Sequence, residues 1–252
     1  MSLTGRTILI TGAGRGLGRA FAEACAAAGA ERIVVADVRE DLGEAAVAAL
    51  ARAGAKAVFL PVDLGDPKSI DTFADKMAAR YGHLDGLVNN GAIATGIGGK
   101  TFEEIDLSTW DKVMSVNVRG TWLMTRAMAP LLRKSTLGGR IVNVASDTAL
   151  WGAPRLLHYV ASKGAVISMT RSLARELGPD NIAVNAIAPG LVQVEATEYV
   201  PQDRKDLYVT GRAMQRTQMP EDVTGAVVFL LGQGAGFVTG QLLPVNGGFV
   251  LN

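Results

Sequence analysis

Tyr159 and Lys163 are the two residues of this sequence best suited to moving a proton. They lie four positions apart in the run LHYVASKGAVIS, whose spacing of apolar residues predicts a helix, so both side chains are expected on one face, one turn apart. Lowering the pKa of a phenol from about 10 to about 7 needs roughly 4 kcal/mol. An ammonium about 4 Å away can supply that energy where the effective dielectric constant is near 20. The pair therefore predicts a general acid and base activated by lysine.

Ser146 is expected at the same place. It ends the apolar run RIVNVAS, a predicted strand, shortly before Tyr159, and ligands of parallel sheets bind beyond the carboxyl ends of the strands. A Tyr-x3-Lys pair alone also occurs on ordinary solvated helices. The pair therefore indicates catalysis only if other functional residues are predicted at the same edge of the sheet.

A glycine-rich turn follows the first predicted strand, TILIT. Its glycines include Gly12, Gly16 and Gly18, with Leu17 where the GxGxxG pattern has its third glycine. Glycine permits positive φ and a close approach of the backbone to a pyrophosphate, and the helix that follows offers free N–H groups with partial positive charge. The turn alone is a weak signal, but its position between a strand and a helix predicts a dinucleotide site.

Asp37 ends the second predicted strand, RIVVAD, about 20 residues after the glycines. A carboxylate there can accept hydrogen bonds from both hydroxyls of an adenosine ribose, and it would repel a 2′-phosphate. Arg15 and Arg39 argue the other way, because a basic residue at this corner could neutralise that phosphate. We expect NAD as the cofactor, with NADP less favoured.

Short apolar runs alternate with helical patterns along the chain. The runs TILIT, RIVVAD, AVFLPVD, GLVNN, RIVNVAS, IAVNAIAP and QLLPV predict seven strands. Helices are predicted to about residue 28, from about 41, and near 69–81, 108–134, 159–177 and 221–231. Parallel strands need crossovers that bury both faces, so this order predicts a doubly wound α/β fold in one domain over residues 1–252. The irregular, charge-mixed stretch 193–218 is expected to be a substrate lid.

Composition narrows the class of function. Of 252 residues 48% are hydrophobic, and 25 basic against 24 acidic residues leave a net charge of +1, so no broad attraction to nucleic acid or an anionic membrane is encoded. Cys25 is the single cysteine, which excludes an intrachain disulfide. With no recognisable signal peptide or membrane-spanning run, we expect a cytoplasmic enzyme acting on small molecules.

The order of these motifs resembles that of the short-chain dehydrogenase/reductase family. The glycine turn and Asp37 are followed by GLVNNGA, by Asn117 in SVNVRG, by Ser146 and Tyr159, and by PGLV after the sixth strand. The similarity extends to Thr239-Gly240 and VNGG near the C-terminus, so it covers nearly the whole chain. It implies a seven-stranded Rossmann fold and, for most members, a homotetramer.

The resemblance also implies roles for individual residues. Tyr159 would exchange the alcohol proton while hydride passes to or from the nicotinamide, and Ser146 would orient the substrate oxygen. Lys163 would also form a hydrogen bond to the nicotinamide ribose. Asn117 would hold a water molecule that relays protons to Lys163. The cofactor site would comprise Gly12, Arg15, Gly16, Leu17, Gly18, Asp37, Asp63, Leu64, Asn90, Gly91, Tyr159, Lys163, Pro189, Gly190 and Val192. Val194 departs from a frequent threonine that bonds the carboxamide, a contact that Thr197 could make instead.

The predicted function is hydride transfer between NAD and a secondary alcohol or ketone. Pocket candidates are mostly apolar or aromatic, which favours a moderately hydrophobic substrate; they include Trp151, His158, Leu191, Tyr199 and Tyr208. The alternative within the family is an NADPH-dependent 3-oxoacyl reductase.

Rival classes rest on weaker patterns. Residues 94–101, ATGIGGKT, imitate a phosphate-binding P-loop with alanine in place of its first glycine. A nucleotide-binding module without turnover is a second rival, although it leaves the Ser, Tyr and Lys set unexplained. His83 and His158 are the only histidines and neither has metal-ligand spacing; no metal is predicted, and a surface or pocket-rim position is expected for both.

Overall fold

The computed structural model describes residues 1–251. These residues form the predicted parallel sheet of seven strands, and the strand order is β3-β2-β1-β4-β5-β6-β7. The strands are β1 Thr7–Thr11, β2 Arg32–Asp37, β3 Ala57–Pro61, β4 Gly86–Asn89, β5 Gly139–Val144, β6 Ile182–Pro189 and β7 Leu242–Val245. Their β-branched and leucine-rich sequences suit strands that are buried on both faces.

Helices cover both faces of the sheet. They are α1 Gly16–Ala27, α2 Glu40–Arg52, α3 Pro67–Arg80, α4 Leu107–Met114, α5 Thr121–Leu132, α6 Thr148–Trp151, α7 Leu157–Leu177, α8 Gln202–Gly211 and α9 Glu221–Leu231. No helix in the described part of the chain is long and apolar enough to cross a bilayer.

Two apolar layers hold the helices against the sheet because side chains alternate between faces along each strand. On one face Leu9 and Leu87 pack with residues of α3, α5 and α7, including Met124. On the other face Ile10 and Val88 pack with residues of α1, α2 and α9. The alternation fixes the strand register and hence the residues that end each strand.

The sheet order reverses direction between β1 and β4, which lie side by side although three helical crossovers separate them in sequence. Chain connections leave this point toward opposite edges of the sheet, so a crevice opens beyond the carboxyl ends of the two strands. The glycine turn follows β1 and Asn90 follows β4. The topology therefore brings these two motifs together.

Two predicted segments differ in detail from expectation. The helical stretch predicted over 108–134 is interrupted, because residues Ser115–Gly120 form a π-helical turn between α4 and α5. The stretch 193–218 is not wholly irregular: it contains a short 3-10 turn at Glu195–Thr197 and all of α8. Helix α8 was missed because its hydrophobic periodicity is weak; it carries few apolar side chains, among them the buried Tyr208. We refer to residues 193–218 as the lid segment.

Candidate active site

A cleft of about 600 Å³ opens where the carboxyl ends of the strands meet. Its walls contain Ser146 and every residue that the sequence predicted for the cofactor site. Those residues are Gly12, Arg15, Gly16, Leu17, Gly18, Asp37, Asp63, Leu64, Asn90, Gly91, Tyr159, Lys163, Pro189, Gly190 and Val192. The predicted cofactor and proton-transfer groups thus share one cavity.

The glycine turn leaves no room for side chains at two positions. Gly12 has a φ of +64°, and a Cβ there would lie 2.7 Å from Gly91 Cα. A Cβ on Gly18 would lie 2.1 Å from the Gly12 carbonyl oxygen. Glycine at these positions lets the turn fold tightly onto the chain beyond β4, and α1 can begin directly at the cleft.

Thr11 and Asn90 fasten the two strand ends at the point of reversal. The Thr11 hydroxyl accepts hydrogen bonds from the N–H groups of Asn90 and Gly91, each at 3.0 Å. The Asn90 amide donates to the carbonyl oxygens of Thr11 at 2.9 Å and Gly12 at 3.1 Å. These bonds hold the glycine turn in a fixed shape beside the cleft.

The beginning of α1 has the properties of an anion site. Arg15 precedes the helix without capping it through its side chain, and the first turn contains no acidic residue. The first N–H groups of a helix have no partner within it and carry partial positive charge. With the close-packed glycines, this is the environment that a dinucleotide pyrophosphate needs, so the residues present fit a nicotinamide dinucleotide.

Asp37 lies at the end of β2 on the wall of the cleft. Its carboxylate accepts hydrogen bonds from the backbone N–H of Gly14 at 2.9 Å and of Arg39 at 3.0 Å. The Arg39 guanidinium is engaged elsewhere, because it forms two hydrogen bonds to Asp41, at 3.0 and 2.8 Å. The carboxylate is therefore fixed at the cleft. Of the two arginines that could neutralise a phosphate, Arg39 is paired with another acid, whereas Arg15 lies on the cleft wall.

Ser146 lies just beyond β5 with a hydroxyl that can donate. Its Oγ accepts a hydrogen bond from the Thr148 hydroxyl at 2.9 Å and one from the Thr148 N–H at 3.3 Å. Because these bonds occupy the oxygen lone pairs, the Ser146 proton is left for a substrate oxygen or for Tyr159. Thr148 is a functional residue that was not predicted from the sequence; its signal is a hydroxyl side chain two positions after a strand-end serine.

Tyr159 and Lys163 face the cleft from α7, as their spacing predicted. The Lys163 ammonium lies 5.6 Å from the centre of the Tyr159 ring and donates a 2.7 Å hydrogen bond to the Val144 carbonyl oxygen. Burial lowers the pKa of Lys163 to about 8. The lysine is thus held between the tyrosine and the end of β5.

The expected lowering of the Tyr159 pKa is wrong for the protein without ligand. Burial raises the pKa of Tyr159 above its ordinary value, a hydrogen bond with Ser146 lowers it, and the negative charge of Asp147 raises it further. An ammonium about 4 Å away would lower this pKa, but burial of the phenolate has a cost that residue spacing does not reveal. Tyr159 therefore rests as a neutral phenol.

Asn117 lies behind the cleft wall, in the π-helical turn, and is buried. Its Oδ1 accepts from the Ile93 N–H at 2.7 Å, and its Nδ2 donates to the Ile93 carbonyl oxygen and to Ser162 Oγ, both at 3.1 Å. The side chain therefore connects the segment after β4 to α7 next to Lys163. The proposed role in holding a water stays a prediction.

The four residues predicted for the substrate pocket do not line this cleft. Trp151, His158, Leu191 and Tyr199 are absent from the residues that line the cleft. His158 is 1% exposed rather than at the surface or rim, because the first turn of α7 packs beneath residues 97–100. Burial lowers its pKa, which outweighs the opposite effect of the Ile97 backbone. His158 is therefore corrected to a buried, neutral imidazole.

The lid segment contacts the cleft wall at residues 94 and 95, which we call the entrance of the cleft. The Tyr199 hydroxyl donates a 2.6 Å hydrogen bond to the Ala94 carbonyl oxygen, and the Thr95 hydroxyl contacts the Ala196 carbonyl oxygen at 3.4 Å. Thr197 bonds within its own loop, donating to the Val192 carbonyl oxygen at 2.7 Å. The P-loop imitation at 94–101 leads into turns and not directly into a helix, since α4 begins only at Leu107. That loop therefore lacks the helix N-terminus a phosphate would need.

Comparison with known proteins gives the family. Residues 12–250 match the family model described as enoyl-(acyl carrier protein) reductase, and curated relatives match over the full length. The chain belongs to the short-chain dehydrogenase/reductase family. Cyclopentanol dehydrogenase from Comamonas testosteroni is 37% identical over 98% of both chains, and the 3-oxoacyl-[acyl-carrier-protein] reductase FabG from Thermotoga maritima is 33% identical over 100% of both.

Solved structures of the family have the same fold. A crystal structure from Beutenbergia cavernae, of a protein assigned as an NAD(P)-dependent gluconate 5-dehydrogenase and containing NADP, superposes with a TM-score of 0.90 at 35% identity over 98% of both chains. The protein is thus a short-chain oxidoreductase that transfers hydride between a nicotinamide cofactor and an alcohol or ketone. The predicted Rossmann fold and the predicted reaction class are confirmed.

Proposed function

We propose that the protein is an NAD-dependent dehydrogenase of moderately hydrophobic secondary alcohols, and of the corresponding ketones in reverse, with Tyr159 as its acid and base. One observation carries the proposal: Ser146, Tyr159 and Lys163 line the same cleft as the glycine turn and Asp37. A bound nicotinamide supplies the carbon that accepts or donates hydride.

The chain's own groups handle the proton and orient the substrate. In alcohol oxidation Tyr159 takes the hydroxyl proton while hydride leaves the carbon, and in ketone reduction the neutral phenol returns that proton. Ser146 donates a hydrogen bond to the substrate oxygen, because Thr148 leaves its proton free. Lys163 provides positive charge close to the tyrosine, which stabilises the phenolate at the moment it forms.

The direction of the pKa shifts predicts a pH dependence. Oxidation needs Tyr159 without its proton, and burial raises the pKa of that phenol, so the oxidation rate should increase with pH through the alkaline range. Reduction needs the protonated phenol and should be fastest at neutral pH or below. Burial lowers the pKa of Lys163 to about 8. Loss of the lysine charge above that pH opposes the increase in oxidation rate, because the ammonium no longer stabilises the Tyr159 phenolate.

The cofactor proposal is NAD, as the sequence predicted. It is supported by the fixed Asp37 carboxylate and by the engagement of Arg39 with Asp41. The NADP in the Beutenbergia protein keeps NADP as the alternative to be tested. Assembly as a homotetramer and a cytoplasmic location also stay proposals.

An alicyclic secondary alcohol is the preferred substrate class. The cleft that contains Ser146 and Tyr159 is also lined by Ile93, Ala94 and Val194, which offer apolar contacts to a substrate. The relative that acts on cyclopentanol supports this choice. The second candidate is reduction of 3-oxoacyl thioesters with NADPH, supported by the FabG relative and by the description of the family model.

A substrate and cofactor screen tests the proposal. The oxidation of cyclopentanol and related alcohols with NAD and NADP, and the reduction of the ketones and of a 3-oxoacyl thioester, would be followed by the absorbance of the reduced nicotinamide. The proposal predicts the highest kcat/KM for an alicyclic alcohol with NAD. A higher kcat/KM for the thioester with NADPH would favour the second candidate, and no turnover of any of these compounds would contradict both.

A further inference from the structure

Asp147, the residue after Ser146, is a carboxylate with no exposed surface. Its Oδ1 accepts a 2.9 Å hydrogen bond from the hydroxyl of Tyr208, which lies on α8 in the lid segment and is 3% exposed. A buried carboxylate is costly unless it is hydrogen-bonded. The Asp147–Tyr208 bond offsets part of the cost of burying this carboxylate, and it joins the lid segment to the catalytic edge of the sheet.

The backbone of Asp147 is anchored to the neighbouring strand. Its N–H donates to the Pro189 carbonyl oxygen at 3.0 Å, and the N–H of Ala145 donates to the Ile187 carbonyl oxygen at 2.8 Å. Ser146 lies between these two bonds to β6. The backbone that carries the Ser146 hydroxyl is therefore held against β6 on both sides, and it continues directly into Asp147.

Helix α8 is docked through one face. Arg204, one turn before Tyr208, donates to the Pro154 carbonyl oxygen at 3.1 Å and lies over the Trp151 ring. Trp151 Nε1 contacts the Tyr208 hydroxyl at 3.3 Å, and Phe249 stacks on the Tyr208 ring with centroids 4.5 Å apart. Tyr208 thus has a fixed orientation toward Asp147.

The other end of the lid segment contacts the entrance of the cleft through the bond of Tyr199 to Ala94. The segment therefore touches the entrance and the residue next to Ser146 at the same time. We propose that Asp147 and Tyr208 are positioning residues whose hydrogen bond couples the docked lid segment to Ser146, so that Ser146 is oriented for the substrate while α8 is in place. This inference rests on the proposed role of Ser146.

The charge of Asp147 gives the proposal a second readout. The groups that face the carboxylate are Tyr208 and Arg212 from the lid segment, Asn246 from the C-terminal segment and Tyr159 from α7. Burial raises the pKa of Asp147 to about 6, while Tyr208, Arg212 and Asn246 lower it. The group is mostly ionised at neutral pH and raises the pKa of Tyr159. Removing its charge should shift the alkaline rise of the oxidation rate to lower pH.

Tyr208→Phe tests the link, because it keeps the stacked ring and removes the hydroxyl. We expect kcat/KM for the alcohol to fall about tenfold, the range of one hydrogen bond to a charged group, while the Kd for NADH stays within about twofold. The matched control is Tyr81→Phe, which removes the hydroxyl of a tyrosine whose ring lies under Arg32 and Arg80, away from the cleft; it should leave kcat/KM unchanged. Rates are normalised to the concentration of NADH-binding sites, so that unfolded protein does not count.

A double variant separates positioning from stability. Tyr208→Phe leaves the carboxylate without its donor, so the protein should become less stable, and adding Asp147→Asn should restore stability by removing the buried charge. The proposal predicts that the double variant keeps the tenfold loss of kcat/KM. It also predicts that Asp147→Asn alone shifts the alkaline rise of the oxidation rate to lower pH. Recovery of kcat/KM together with stability would overturn it, as would a wild-type value for Tyr208→Phe. An absence of dehydrogenase activity in the wild type would contradict the proposed function, and a wild-type protein that is active while Tyr208→Phe is unimpaired would contradict the coupling through Asp147 and Tyr208.

Discussion

Replacement of Asp37 by serine should move cofactor preference from NAD toward NADP. The carboxylate is held at the cleft by the N–H groups of Gly14 and Arg39, where we propose that the adenosine ribose, and hence a 2′-phosphate, would lie. Two unit charges about 4 Å apart interact by about 1 kcal/mol in water and by about 4 kcal/mol at a dielectric constant near 20. Asp37 is partly buried, so a release of roughly 1.4 to 2.8 kcal/mol is expected. The ratio of kcat/KM for NAD to that for NADP should fall about tenfold to a hundredfold.

Asp41→Asn is the matched control for Asp37→Ser. It removes the same charge from an exposed residue and frees Arg39 from its ion pair while the Asp37 carboxylate stays in place. Surface ion pairs of this kind contribute about 0 to 1 kcal/mol, so the control should change the ratio by less than about fivefold. Both ratios come from initial rates with one saturating alcohol. If wild type already prefers NADP, or Asp37→Ser changes the ratio no more than the control does, then Asp37 does not select the cofactor.

Three further variants or measurements test other parts of the account. Lys163→Ala should weaken NADH binding, measured by fluorescence titration, and should also lower turnover. The reason is that one ammonium is proposed both to bind the ribose and to stabilise the Tyr159 phenolate. Unchanged NADH binding together with unchanged turnover would contradict that dual role. Asp147→Asn should be more stable than wild type in urea unfolding, and this difference should grow by up to about 3 kcal/mol between about pH 4 and pH 7. The reason is that burial raises the pKa of Asp147 from 3.8 to about 6, so wild type loses stability as the buried carboxyl group gives up its proton. A difference in stability that does not change with pH would refute this reason. The exposed Leu107 and Trp122 on α4 and α5 should be covered in a tetramer, so light scattering that finds a stable monomer would exclude it.

The fold and the cofactor cleft could be predicted because they depend on local patterns. Strand residues such as Leu9 and Ile10 alternate between the two faces of one sheet, and the parallel order follows from the helices between strands. Strand ends then place Ser146, Asp37 and the glycine turn at one edge without any knowledge of side-chain contacts.

Contacts between distant segments could not be predicted in the same way. The Asp147–Tyr208 bond joins residues 61 positions apart, and α8 gives little periodic signal. The burial of His158 depends on a loop packed over it, and the raised pKa of Tyr159 depends on burial, which spacing along a helix does not reveal. Each of these features is set by tertiary packing.

The central claim, that Tyr159 transfers the proton, is tested most directly by single-turnover kinetics of Tyr159→Phe. The ring and its packing are kept and only the phenol oxygen is lost. The account predicts that the Kd for NADH stays nearly unchanged and that the rate of hydride transfer falls by about 10² to 10⁴. A variant that binds NADH and transfers hydride at close to the wild-type rate would contradict the account.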